Sequence, residues 1–391
     1  MISVRAGAAP ILFRMKKVLF ALLLTPALLS AQSRAKNVVL FLADAGGIPT
    51  ITAASLHANG TSRGLFIQKM PNIALSDTST ASQIVTDSAA GMTAIVTGQR
   101  THNGMIAQSA SGVRGKVDGD PLKTILDYAE ERGLSTGIVT DDSVAGATPA
   151  SLYAKANDRA TTATIFKQAF EPKYGDGVDV IISAGRGALT KALAAENLEL
   201  ETFSSGKGRP ILTSVSAVPA TATRAIVLLD SGEFDKVEAV ETAIRVLSRN
   251  KKGYFLMVEA DTHASPIRRG LERLVALDRA IEKTSQLVKS DTLLMFTADH
   301  SFDLRIRGGK PGTPILEGLE AAEAESPKGP IRIPALRMDN GHAGEEVLVA
   351  AQGPGAQRVR GYMANTDLFR VMMDAFGWPV AKPAQTTTAP Q

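Results

Sequence analysis

Asn37-Val-Val-Leu-Phe-Leu-Ala-Asp44 is a short, unbroken apolar run closed by an aspartate. A strand with no polar alternation is one buried on both faces, the mark of a mostly parallel sheet with helices on either side. Two further runs have the same form. Gly253-Tyr-Phe-Leu-Met-Val258 closes into Glu259-Ala-Asp261-Thr-His263, and Thr292-Leu-Leu-Met-Phe-Thr-Ala298 closes into Asp299-His300. His342 follows in Asn340-Gly-His-Ala-Gly-Glu345, so three of the five histidines lie in these segments. Ligands of open α/β sheets bind beyond the carboxyl ends of strands. Carboxylates and imidazoles gathered there suit a zinc site, which needs oxygen and nitrogen donors on rigid elements.

Outward from these runs, apolar stretches alternate with helical periodicity. Strands are expected at 37–43, 135–140, 178–183, 224–229, 253–258, 292–298 and 345–351. Helices are expected at 48–58, 88–97, 121–132, 160–170, 186–196, 236–249, 267–288 and 366–376. Gly133 is placed to end the third helix, and Asn365, Thr366 and Asp367 to cap the last. Residues 303–341, rich in Gly, Pro and charge, read as a surface insertion in one domain spanning 32–380.

The chain has 391 residues, 44% of them apolar, enough for a large core. Residues 1–31 read as a secretory signal peptide: Met15-Lys-Lys17 is a charged start, Val18 to Leu24 an apolar stretch, and Leu29-Ser-Ala31 a cleavage site. The apolar stretch is too short to span a membrane, so no anchor is expected after cleavage. Arg5, Arg14, Lys16 and Lys17 account for the whole excess of 43 basic over 39 acidic residues. The mature protein is therefore about neutral, and nothing in its charge implies a nucleic acid partner. With no cysteine, an exported chain relies on core packing and bound metals. The polar tail, 381–391, is expected to be disordered.

Thr86-Asp-Ser-Ala-Ala-Gly-Met-Thr-Ala94 holds a nucleophile candidate. An apolar helix begins near Ser88, which puts its hydroxyl among the unpaired amides of the first turn, where an alkoxide or a phosphate oxygen is favoured. Metal coordination is one way to activate a serine. Taken singly, each of these residues has an ordinary structural reading as a cap, a turn or a surface side chain.

Six segments in order resemble the alkaline phosphatase family. They are Ala43-Asp-Ala-Gly-Gly47 with Ile51-Thr-Ala-Ala54, the Ser88 segment, Thr97-Gly98 with Asn103-Gly104, Ala147-Thr-Pro-Ala-Ser-Leu-Tyr-Ala154, Thr297-Ala-Asp-His300 and Gly341-His-Ala-Gly-Glu-Glu346. They cover most of the chain from about 37 to 377. The resemblance implies a phosphoserine at Ser88, with Asp87 supporting a phosphate-binding arginine at Arg159. It implies one zinc at Asp44, Asp299 and His300, with Ser88 bound to it, and a second at Asp261, His263 and His342. A magnesium-type site would use Asp44, Thr148 and Glu259. Two zincs roughly 4 Å apart stabilise the entering and leaving oxygens of an in-line displacement.

Three features depart from the family's pattern. The spacing in Glu259-Ala-Asp-Thr-His263 is more compact, Gly146 stands where an acidic residue or histidine is common, and Thr262 replaces a longer polar residue. His57 and His102 match no ligand position and are assigned to structure. The implied activity is hydrolysis of small phosphate monoesters by an exported enzyme, periplasmic or secreted, with a homodimer possible in this family. The alternatives are a phosphodiesterase on the same scaffold, or a periplasmic protein that binds phosphate or zinc without turnover.

Overall fold

Strand β1, Asn37–Asp44, is buried along its whole length, and its side chains divide between two cores. Val38, Leu40 and Leu42 join one hydrophobic cluster, and Val39, Phe41 and Ala43 join the other, as the period-two pleat requires. Each fully buried Leu or Phe contributes about 1.5–3 kcal/mol. The computed structural model describes residues 1–3, 7, 34–327 and 329–379. The leader reading over residues 1–31, apart from 1–3 and 7, and the tail reading over 381–391 lie outside the described residues.

The remaining strands are β2 (Asn72–Ser76), β3 (Ser135–Ser143), β4 (Val180–Ala184), β5 (Ile211–Leu212), β6 (Ala225–Leu228), β7 (Tyr254–Asp261), β8 (Thr292–Thr297), β9 (Ser301–Ile306), β10 (Ile331–Arg332), β11 (Leu336–Ala343), β12 (Val347–Gln352) and β13 (Gly361–Met363). Ten of them form one sheet in the order β13-β2-β12-β8-β1-β7-β3-β4-β6-β5. Only β12 runs against its neighbours, β8 and β2. The helices Ser88–Thr97, Ile125–Glu131, Ala147–Tyr153 and Asp367–Phe376 cover one face. Ile48–Asn59, Lys236–Leu247 and Ile267–Leu287 cover the other. The expected mostly parallel sheet with helices on both faces is therefore the fold observed. Among the described residues, no helix is long and apolar enough to cross a membrane.

Each expected strand and helix has a counterpart, with shifts at the ends that have local causes. The helix expected from 121 begins at Ile125, because Thr124 and Asp127 form a reciprocal capping box there. Gly133 adopts a left-handed φ of 70° just past its end. In the last helix Thr366 is the N-cap but makes no side-chain cap bond, while Asp367 accepts from the backbone N of Ala364.

The expectation of a surface insertion at 303–341 needs correction. β9, β10 and β11 form a three-stranded antiparallel sheet. Leu304, Leu319, Ile331, Ile333, Leu336 and Met338 from this region are buried in the second core. The alternation Ser301-Phe-Asp-Leu-Arg-Ile306 is that of a half-buried strand, and Gly and Pro around it obscured the pattern.

Register places the site. Parallel pairing sets Asp44 opposite Asp261 and Leu42 opposite both Glu259 and Thr297, and Thr140 opposite Glu259. The ends of β8, β1, β7 and β3 therefore open side by side in the middle of the sheet.

Candidate active site

Ser88 opens the helix Ser88–Thr97 behind its N-cap, Asp87. Asp87 Oδ1 accepts from the backbone N of Ala90 at 3.0 Å, and Oδ2 accepts from Arg159 Nη1 at 3.1 Å. One side chain thus caps the helix and holds the guanidinium beside the serine. The small run Ala89-Ala-Gly91 lets the helix press against the residues following β8. A Cβ on Gly91 would stand 2.7 Å from the carbonyl O of Asp299.

Asp44 is the hub. Its Oδ1 lies 3.3 Å from Ser88 Oγ and 3.3 Å from His300 Nε2. Thr148 Oγ1 donates to its Oδ2 at 3.3 Å, and Thr262 Oγ1 donates to its carbonyl at 2.6 Å. The chain then turns through Ala45, a non-glycine residue with φ of 64°. That turn aims the backbone N of Ala45 at Asp299 Oδ1, 3.2 Å away.

The three histidines are oriented alike. His300 Nδ1 is 3.0 Å from the carbonyl of Ser301, His342 Nδ1 is 3.1 Å from that of Thr86, and His263 Nδ1 is 2.8 Å from Asp261 Oδ1. Carbonyl oxygens only accept, and so does an ionised carboxylate, so each Nδ1 carries a proton and each Nε2 is the nitrogen turned into the pocket. Those Nε2 atoms converge, His263 to His342 at 3.4 Å, and the rings of His300 and His342 stack at 3.8 Å. Antiparallel pairing of His342 with Phe302 delivers this contact.

Two groups of donor atoms could each hold a cation: His263, His300 and His342, and Asp44, Asp299 and His300. Electrostatics agrees. Burial, then the charge of Asp44, pushes the Asp299 carboxyl up to about 6. Burial, then Asp44, raises Glu259 well above the usual carboxylate range. Burial opposes charge on His300, but Asp299 and Asp44 together push it up to about 9. Burial also opposes charge on Asp44, yet the His300 hydrogen bond and the charges of His263, His300 and Arg159 hold it well below the ordinary value. Buried carboxylates thus demand positive charge at this point. Asp299 Oδ2 is itself buried without a hydrogen-bond partner, a costly state that a cation relieves. The donor set fits zinc.

Ser88, Asp87, Arg159, Asp44, Thr148, Asp299, His300, His263 and His342 thus meet at one place. Glu259 accepts from Thr140 Oγ1 and shares the pocket's charge. Asp261 stands behind His263, paired with Arg273 at 3.1 Å, and belongs to neither converging group. His57 sits 3.8 Å from Glu272, and His102 bridges Ser82 and Ala110. Sequence reasoning passed over Asp141, Asp142, Lys236 and Arg273. The acidic pair was legible, because Thr140-Asp-Asp142 closes an apolar run as the other signatures do. Asp142 Oδ2 stands 3.0 Å from where a Cβ on Gly146 would be, filling the space left by that glycine.

Comparison with known proteins places this geometry among relatives. A family model described as "Alkaline phosphatase" matches residues 35–191 and 235–331. The alkaline phosphatase of Gadus morhua is 28% identical, over 84% of this chain and 89% of its own length. The tissue-nonspecific isozyme of Homo sapiens is 28% identical, over 85% of this chain and 73% of its own. The crystal structure of Thermus thermophilus alkaline phosphatase superposes with a TM-score of 0.74 at 22% identity, covering 92% of this chain and 96% of that one. The alkaline phosphatase from the Antarctic bacterium TAB5 gives 0.71 at 24%, covering 89% and 100%.

Proposed function

The chain belongs to the alkaline phosphatase family, and from that premise we propose that it is an exported, metal-dependent hydrolase of phosphate monoesters working through a phosphoserine at Ser88. The observation that carries this reading is the position of Ser88 Oγ. It lies at a helix N-terminus, 3.3 Å from both Asp44 Oδ1 and His300 Nε2.

Ser88 Oγ is the attacking atom. Its bond to phosphorus forms as the bond to the leaving alkoxide breaks, and water then releases phosphate and restores the hydroxyl. Arg159, held by Asp87, grips two non-bridging oxygens with its planar guanidinium. The unpaired amides of the helix's first turn stabilise the same charge. Two zinc ions held by Asp44, Asp299 and His300 and by His263 and His342 with Asp261 beside them, and magnesium at Asp44, Thr148 and Glu259, would supply Lewis-acid stabilisation of the entering and leaving oxygens and acidify the attacking water. Thr148 and Thr140 orient the carboxylates of Asp44 and Glu259.

The test compares p-nitrophenyl phosphate with bis-p-nitrophenyl phosphate. The protein is stripped with chelator, then restored with zinc alone or zinc plus magnesium. Zinc-dependent turnover that favours the monoester and vanishes in Ser88→Ala is the expected result. Preference for the diester would move the assignment to a phosphodiesterase. Binding of zinc and phosphate without turnover would leave a binding protein.

A further inference from the structure

We propose, resting on the metal-holding role given to His263 in that reading, that Arg273 is a positioning residue. It holds Asp261 from behind, so that Asp261 orients His263 instead of binding the cation itself.

Arg273 comes from the helix Ile267–Leu287, and its side chain is only 12% exposed. Its Nη1 donates to Asp261 Oδ2 at 3.1 Å and lies 3.7 Å from Asp141 Oδ1, while its Nη2 donates to Glu233 at 2.9 Å. Carboxylates on both sides therefore fix the guanidinium. Arg269 adds a second positive charge 3.7 Å from the same Asp261 oxygen. The other oxygen, Oδ1, accepts from His263 Nδ1 at 2.8 Å and from the backbone N of His263 at 3.3 Å. Both oxygens are thus engaged, and the charge is shared with arginine.

The backbone beneath is pinned as well. The N–H of Asp261 donates to Asp141 Oδ1 at 2.8 Å. The buried Lys236 Nζ joins Asp141 Oδ2, at 2.6 Å, to the carbonyl of Glu259, at 2.7 Å. Asp261 is the last residue of β7, and His263 already lies beyond the strand. With one residue between them, carboxylate and imidazole meet side by side instead of facing a common ion. The product is a carboxylate–histidine pair whose Nε2 points at His342. Pairs of this kind fix the ligand's tautomer, and losing one costs 10- to 100-fold in metal affinity.

The experiment uses the full chain as wild type, Arg273→Ala, Arg273→Lys and Asp261→Asn, made metal-free. Each is titrated with zinc against a chromophoric chelator and with cobalt(II) followed by visible absorption. The expected result for Arg273→Ala is an unchanged number of bound ions, one of them weakened about 10- to 100-fold, with Arg273→Lys recovering part of the loss. Asp261→Asn keeps an oxygen that accepts from Nδ1, so it should also retain the full ion count. Loss of one whole ion in Asp261→Asn, with affinity unchanged in Arg273→Ala, would make Asp261 a direct ligand and overturn the proposal. If Arg273→Ala does not fold, the ion count of Asp261→Asn decides alone. A wild type that binds no metal removes the phosphatase reading and this role together. A wild type that binds zinc and turns over, beside an indistinguishable Arg273→Ala, removes the positioning role only.

Discussion

Ser88 Oγ stands 3.3 Å from His300 Nε2, although 212 residues separate them. The contact exists because the helix carrying Ser88 closes against the residues following β8. If Ser88 is the attacking atom, Ser88→Ala should lose at least about 1,000-fold in turnover of p-nitrophenyl phosphate while its zinc content stays near wild type. Mass spectrometry of quenched reactions should find phosphate on the Ser88 peptide of the wild type alone.

Arg159 reaches the site through Asp87, which also caps the helix. A charge-assisted hydrogen bond is worth about 1.5–3 kcal/mol, so Arg159→Ala should cost roughly 10- to 150-fold in kcat/KM for the monoester. The diester, with one fewer free oxygen, should suffer less, and the ratio of the two rates measures this. Asp87→Ala should lose the cap as well, lowering stability by about 1 kcal/mol.

Gly91 is where the helix and the Asp299 backbone touch. A methyl group there would be 2.7 Å from a carbonyl oxygen, too close for either element to stay in place. Gly91→Ala is expected to destabilise the fold by about 1–3 kcal/mol and to weaken zinc binding through the displaced Asp299. Denaturant unfolding and zinc titration read the two effects separately.

A pH effect is expected far from the catalytic cluster, at Glu130. Its carboxyl is pushed up to about 8, mainly by burial, and it accepts from the backbone N of Asp176. The folded state therefore keeps a proton that the unfolded state releases from about pH 4.5 upward. Stability from this group is present below that pH and is lost as the pH rises towards 8. Glu130→Gln should remove the slope, so its melting temperature relative to wild type should climb between pH 5 and 8. Calorimetry of the metal-free protein measures it, and a constant difference would contradict the assignment.

Much of the sheet was legible because its central strands are unbroken apolar runs. β1, β7 and β8 were placed within three residues of their ends, and the acidic or histidine residue closing each marked the site. β2 and the β9–β11 sheet were missed. Their burial alternates, and glycine, proline and charge surround them, so no continuous run signals a strand. Asp141 and Asp142 end such a run as well, so their signal was present in the sequence and was passed over.

The sequence by itself determined which strands lie at the centre of the sheet, since only a strand covered on both faces can be apolar throughout. It also determined the donor types gathered at the strand ends. The tertiary structure alone decided which donors meet. Pairing of β9 with β11 carries His342 to His300, and β12 runs against the sheet. Helix packing brings Arg273 and Lys236 against Asp261 and Asp141. What a carboxylate can do depends on the charges beside it, and here those charges come from helices that the local sequence does not specify.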